Sequence, residues 1–144
     1  MGKIISINIS TRKGEKKTSV QSAVLKENHG IVGDAHAGDW HRQVSLLAAE
    51  SVDKMRGRGI ELHPGDFAEN LTIEGIDLKG LKIGQRLKIG SEAILEITQI
   101  GKECHNGCAI KQQVGDCVMP REGVFAKVVV GGEIKTGDQV NFEL

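Results

Sequence analysis

The stretch LKIGQRLKIGSEAILEITQI, residues 81–100, carries the pattern that decides the fold class. Apolar and polar residues alternate in Leu87–Ile89 and again in Ala93–Gln99. Alternation of this kind is typical of a β-strand, because successive side chains point to opposite faces and one face can meet a core. Gly90–Glu92 separates the two runs and favours a tight turn. The stretch therefore predicts a β-hairpin.

Short apolar runs between turn residues continue on both sides of this hairpin. Glycine occurs 19 times and proline twice in 144 residues, which favours an all-β barrel or sandwich with tight turns. Further strands are predicted at Lys3–Ser10, Ser22–Glu27, Gln43–Leu47 and Asn70–Glu74, with a closing pair at Gly123–Val130 and Gln139–Glu143. No linker, low-complexity segment or repeat interrupts them, so we expect one domain over residues 1–144.

Helical spacing is confined to short segments. Ala48–Arg56 places Ala48, Val52 and Met55 on one face of a helix, and the glycines that follow would end it. Cys108–Val114 could add one or two helical turns. We therefore expect a mostly β protein with one or two short helices.

The charge balance limits the classes of partner. Lys and Arg number 19, as do Asp and Glu, so the basic excess of a nucleic-acid-binding protein is absent. A local basic run, Arg12–Lys17, is interrupted by Glu15 and is interpreted as a solvated loop. No signal peptide or bilayer-spanning apolar run is found. We expect a cytoplasmic protein that binds neither nucleic acid nor membrane; its oligomeric state stays open.

Gly33–Arg42 is the densest group of chemically active residues. It contains His36, His41, Arg42 and the single tryptophan, Trp40. Histidine titrates near neutral pH, and the arginine fork fits phosphate or carboxylate. The stretch is interpreted as an active-site loop, with a surface loop of turn-capping residues as the alternative. A metal site on the two histidines is disfavoured, because the sequence offers no third ligand nearby.

Glu69–Asn70 forms a second polar group, at the start of a predicted strand. These side chains could contact a ligand. They could equally tie a loop to the barrel through backbone hydrogen bonds.

The three cysteines, Cys104, Cys108 and Cys117, lie in one short stretch. An odd number of thiols and the expected reducing compartment disfavour disulfides. Lys102 and His105 would favour the reactive thiolate of Cys104, while Glu103 opposes it. A zinc site formed by the thiols and the histidine is a weaker alternative, because the spacing is not a common zinc knuckle.

Five segments share their order and spacing with one known family. They are Gly33–Leu47, Phe67–Thr72, Leu81–Gly90, Glu96–Cys104, and Arg121–Ala126 with Gly131–Val140. Together they span nearly the whole chain and resemble the MOSC domain, the C-terminal domain of molybdenum-cofactor sulfurases, in a stand-alone single-domain form.

The resemblance implies a MOSC-type β-barrel in which Cys104 carries sulfur as a persulfide or ligates molybdenum. It implies the molybdenum cofactor (molybdopterin) as the cofactor, and a cysteine desulfurase or a molybdoenzyme as the partner. The chain lacks room for the desulfurase domain, so no pyridoxal phosphate is expected. The residues expected to bind the cofactor are His36, His41, Arg42, Glu69 and Asn70. We expect Gly33–Arg42 and Cys104 to share one mouth of the barrel.

One departure from the family affects the choice of thiol. The family commonly has Arg-x-Pro before its cysteine, whereas Ile100–Glu103 has neither residue, and Cys108 follows as a second candidate.

Two other functions stay open. One is a small molybdenum-dependent oxidoreductase acting on N-hydroxylated compounds, although no flavin or iron–sulfur motif is found. The other is a non-catalytic interaction module or chaperone for cofactor insertion.

Overall fold

The computed structural model describes residues 2–12, 17–56, 69–101 and 123–143. Within these ranges strands dominate, which confirms the mostly β fold. The strands are β1 Gly2–Ile9, β2 Thr18–Val20, β3 Ser22–Lys26, β4 Gly30–Ile31, β5 Val44–Ala48, β6 Leu71–Glu74, β7 Arg86–Ile89, β8 Ala93–Ile100, β9 Val124–Val130, β10 Gly132–Lys135 and β11 Gln139–Glu143. A helix, α1, spans Ala49–Arg56, and a single 3₁₀ turn spans Leu78–Gly80. The predicted helix is thus confirmed, while the predicted turns at Cys108–Val114 lie outside the described residues.

Seven strands close into a barrel. Their order is β1-β11-β7-β8-β9-β5-β6, and β6 pairs with β1 to complete the ring. Among the described pairs only β5 and β6 run parallel, joined through α1 and the chain that follows it. A second, three-stranded sheet, β10-β3-β4, lies beside the barrel, and β2 extends from β1.

The hairpin predicted from residues 81–100 forms β7 and β8. Leu87 pairs with Leu95, and Ile89 pairs with Ala93 across the turn. Inward-facing residues of β8 are buried while their neighbours are partly exposed, as the alternation predicts. Burying a leucine or isoleucine side chain fully stabilises the fold by about 1.5–3 kcal/mol. The apolar core of the barrel is therefore built from alternate positions of each strand.

The predicted closing pair is wrong. β9 pairs with β8 on one side and β5 on the other, while β11 pairs with β7 and β1. β9 has both hydrogen-bonding edges occupied, so β11 cannot add to it. The chain between them forms β10, which joins β3 in the small sheet. No helix in the described part of the chain is long and apolar enough to cross a bilayer.

Candidate functional site

Residues 32–43 connect β4 to β5 and contain the loop predicted to carry the site. Gly33 has φ 92°, a left-handed conformation that a residue with a Cβ rarely adopts. Backbone hydrogen bonds fix the loop: Ala35 N donates to Ser10 O at 2.8 Å, and Gly38 N donates to His29 O at 2.7 Å. The loop is thus held against the end of β1 and the β3–β4 turn by its main chain.

A buried ion pair lies beneath the loop. Lys17 Nζ lies 2.7 Å from Asp34 Oδ1, and both side chains are fully buried. The same ammonium group donates to Ser10 Oγ at 3.1 Å and lies 3.0 Å from His36 Nδ1. The interpretation of the basic run as a solvated loop is therefore wrong for Lys17. Arg12 is exposed as expected, and residues 13–16 lie outside the described ranges.

Asp34 is held in its ionised form. Burial alone would raise the pKa of this carboxyl group, but the hydrogen bond and charge of Lys17 outweigh it. The Ser10 N–H, which donates to Oδ1 at 3.1 Å, lowers the pKa further. The net result is a pKa below its ordinary value. The backbone N–H of His36 donates to Oδ2 at 3.0 Å, so the carboxylate also shapes the loop.

Arg42 contacts two aromatic rings. Its guanidinium carbon lies 4.9 Å from the centre of the Trp40 ring and 5.6 Å from that of Phe125. A desolvated cation–π contact contributes up to about 2 kcal/mol. Arg42 Nε is buried and has no hydrogen-bond partner among the described residues. The rings therefore orient a cation whose N–H groups are suited to an anionic ligand.

The same indole connects Arg42 to His36, because Trp40 Nε1 donates to the His36 carbonyl at 2.7 Å. His41 is tied to β8 instead. Its Nε2 lies 2.9 Å from Gln99 Oε1, and Gln99 Nε2 donates to Gly101 O at 2.8 Å. Since Gln99 Oε1 can only accept, His41 Nε2 is the donor. The two histidines thus have different partners.

Glu69 and Asn70 are fully buried just before β6. Asn70 Oδ1 accepts from Ser45 N at 2.9 Å, and its Nδ2 donates to Asn8 O at 3.0 Å. Glu69 Oε2 accepts from Thr72 Oγ1 at 2.9 Å. Asn70 therefore ties β5 to β1, in keeping with the structural alternative. A ligand contact by either residue remains a prediction.

The described residues on either side of the cysteine segment are hydrogen-bonded neighbours, because Gly101 N donates to Gly123 O at 2.7 Å. The residues of the zinc alternative lie outside the described ranges and are Cys104, Cys108, Cys117 and His105. The shared mouth of the loop and Cys104 remains a prediction. In the part of the chain that the structure describes, no three His, Cys, Asp or Glu side chains gather as metal ligands.

Sequence reasoning missed Lys17 and Phe125. The usable signal for Lys17 was indirect: an aspartate predicted inside a ligand-binding loop requires a cation if it is buried. Nothing in the local pattern distinguishes Lys17 from the lysines near it. Phe125 lies on β9 and meets Arg42 only because β9 and β5 are neighbours in the barrel.

The fold and the site define a small, closed β-barrel domain with an arginine and two histidines on a glycine-containing loop. Residues 33–141 match the family model of the MOSC domain. The chain therefore belongs to the MOSC domain family, which is associated with molybdenum-cofactor-related proteins.

Solved structures agree on the fold. The YuaD protein of Bacillus subtilis has a TM-score of 0.78 at 21% identity, covering 97% of this chain and 94% of YuaD. YiiM of Geobacillus stearothermophilus has a TM-score of 0.75 at 20% identity, covering 100% of this chain and 76% of YiiM. YiiM of Escherichia coli has a TM-score of 0.69 at 15% identity, covering 99% and 70%. A search of curated protein sequences finds no significant match.

Proposed function

We propose that this protein is a molybdenum-cofactor-related sulfur carrier or cofactor-binding protein whose working thiol is Cys104. Membership of the MOSC family supports the cofactor class. The observation that carries the proposal is the position of Gly101. It receives the hydrogen bond of Gln99, which in turn accepts from His41 of the candidate loop.

Chain length limits how far the thiol can lie from this point. Cys104 follows Gly101 by three residues, which span at most about 11 Å when fully extended. Cys108 follows by seven residues and has a reach of about 25 Å. The covalent chain therefore limits how far Cys104 can lie from Gly101 more tightly than it limits Cys108. This difference favours Cys104 as the thiol that works with the loop.

The described residues fit the phosphate end of a molybdopterin. The phosphate is an oxyanion, and Arg42 offers an oriented guanidinium whose Nε has no hydrogen-bond partner among the described residues. His36 and His41 lie on the same loop. The cofactor, when bound, would supply a redox-active molybdenum centre for which a cysteine thiolate is a suitable soft ligand.

As a sulfur carrier, Cys104 would act through thiolate exchange. Its thiolate attacks the terminal sulfur of a persulfide on a cysteine desulfurase. A new S–S bond forms on Cys104, the S–S bond of the donor breaks, and the donor leaves as a thiolate. A thiolate of a partner protein would then attack the terminal sulfur, so that a new S–S bond forms on the partner and Cys104 leaves as a thiolate. Lys102 and His105 are close to Cys104 in the sequence and would favour its thiolate, while Glu103 would oppose it.

Intact-mass spectrometry of protein purified without reductant tests the proposal. After incubation with a cysteine desulfurase and cysteine, the protein should gain about 32 Da, the mass of one sulfur atom, on Cys104. Incubation with the molybdenum cofactor should give a stable pterin complex. Cys104→Ser should abolish the sulfur adduct, while the matched control Cys117→Ser should retain it. Absence of both adducts under every loading condition would instead support the interaction module.

Cys108→Ser separates the roles of the two thiols. If Cys108 resolves the persulfide on Cys104, its loss should lengthen the lifetime of the adduct, because no neighbouring thiol can displace it. Loss of the adduct in Cys108→Ser would identify Cys108 as the carrier and contradict the assignment to Cys104. A bound metal that is lost only when all three cysteines are replaced would identify a metal site.

A further inference from the structure

The contact between Lys17 and His36 fixes the chemistry of the imidazole ring. A lysine ammonium group has three donors and no acceptor. Since Lys17 Nζ lies 3.0 Å from His36 Nδ1, Nδ1 must present its lone pair to the ammonium group. A neutral imidazole that accepts at Nδ1 carries its hydrogen on Nε2. The geometry thus selects one of the two neutral tautomers and opposes protonation of Nδ1.

The ammonium group is itself held in place by its other contacts. It donates to Asp34 Oδ1 at 2.7 Å and to Ser10 Oγ at 3.1 Å. Ser10 Oγ donates onward to the Arg12 carbonyl at 3.0 Å, so its oxygen is oriented to accept from Lys17. The charged partner keeps Lys17 in its ammonium form within a buried setting. Among the described residues, three acceptors, one of them ionic, therefore orient the ammonium group.

We propose that Lys17 is a positioning residue that holds His36 as a neutral imidazole with its hydrogen on Nε2, so that His36 donates a hydrogen bond to an oxyanion ligand. This inference rests on the proposed function for the place of the ligand, and it names the group recognised as an oxyanion such as phosphate. Arg42 would meet the same ligand, since Trp40 contacts both the His36 carbonyl and the guanidinium group.

The same arrangement disfavours His36 as a metal ligand. Nδ1 is occupied by the ammonium group, so a metal would have to bind at Nε2. Binding there would displace the Nε2 hydrogen and leave the ring as an imidazolate that still accepts from Lys17. Neutral imidazole is the form of histidine that ordinarily ligates metals. A ring held in this way is better suited to donate to an anion.

Nitrogen NMR of the unmodified, ligand-free protein is the first test. In a long-range ¹H–¹⁵N spectrum of histidine-labelled protein near neutral pH, His36 should show a protonated Nε2 and an unprotonated Nδ1. The His36→Asn variant assigns the signal by removing it. A ring protonated at Nδ1, or at both nitrogens, would overturn the proposal without any change at Lys17.

Variants at Lys17 form the second test. In Lys17→Met the His36 signals should show a hydrogen on Nδ1, because Asp34 Oδ2 lies 3.8 Å from this nitrogen and the ammonium group no longer opposes it. Because Lys17→Met leaves a buried carboxylate unpaired, the double variant Lys17→Met/Asp34→Asn provides a form without the buried charges. An unchanged Nε2–H tautomer in either folded variant would show that Lys17 does not position the ring.

Titration with inorganic phosphate tests the ligand class. Phosphate should shift the His36 Nε2 resonance in the wild type, and Lys17→Met/Asp34→Asn should weaken its binding by about tenfold or more, the effect of one charge-assisted hydrogen bond. No response of His36 to phosphate would overturn the oxyanion assignment. These measurements require neither Cys104 nor a bound cofactor. Absence of both the sulfur adduct and the pterin complex would therefore refute the proposed function while leaving the role of Lys17 intact.

Discussion

The β7–β8 hairpin and the Lys17–Asp34–His36 cluster are held together by opposite means. The hairpin is built from neighbours in sequence, with Leu87 and Leu95 buried in an apolar interior. The cluster joins residues that are 17 and 19 positions apart and fully buries a pair of opposite charges. Apolar packing tolerates modest change, whereas a buried charge is stable only with its partner. The comparison predicts where substitutions will be most costly.

Breaking the ion pair should have the largest effect. Lys17→Met should lower the free energy of unfolding by about 3–5 kcal/mol, because Asp34 would be left buried without its cation. Urea denaturation followed by circular dichroism measures this. The double variant Lys17→Met/Asp34→Asn should lose clearly less. A single substitution costing no more than the double one would contradict the coupling of the two charges.

A cavity in the hairpin should cost a similar or smaller amount. Leu95→Ala removes most of a side chain that is fully buried, so we expect a loss of about 2–5 kcal/mol in the same urea experiment. Ile94→Ala, on the partly exposed face of the same strand, is the matched control and should lose less. Equal losses at the two positions would show that β8 does not present one face to the core.

Acidification should weaken the cluster. The pKa of Asp34 is lower in the folded protein than its ordinary value of 3.8, so its contribution to stability is present above that value. It is lost as the pH falls below about 3.8 toward the folded pKa, because the unfolded chain then binds the proton first. Denaturation at stepped pH should show a steeper acid loss for the wild type than for Lys17→Met/Asp34→Asn. Parallel pH profiles would rule out this contribution.

The turn of the hairpin should give the smallest of these effects. Gly90 has φ 64°, and an added Cβ would lie 3.1 Å from Asp138 Oδ2. Gly90→Ala should therefore cost about 1–2 kcal/mol, the usual penalty for a left-handed non-glycine residue. Gly90→Asn should cost less, since asparagine tolerates this conformation. Thermal denaturation of both variants would show whether the turn is constrained by its backbone.

The candidate site was only partly accessible to sequence reasoning. The loop could be identified because glycine, histidine and arginine concentrate in Gly33–Arg42, and the structure places His36 and Arg42 against the same indole. Lys17 was assigned to solvent because its sequence neighbours are charged. Its burial depends on Asp34, a contact that no local pattern encodes. The contact between Arg42 and the Phe125 ring could not be predicted either, because it depends on β9 being the neighbour of β5.

The sequence by itself determined the strands of the hairpin, the turn at Gly90, the helix α1 and the family, because each depends on spacing between residues close along the chain. The tertiary structure decided which strands are neighbours, since closing the ring pairs β1 with β11 and leaves β9 between β8 and β5. It also decided which charged side chains are buried. Lys17 is buried where a carboxylate, a hydroxyl and an imidazole converge on its ammonium group, and that convergence is a property of the closed fold.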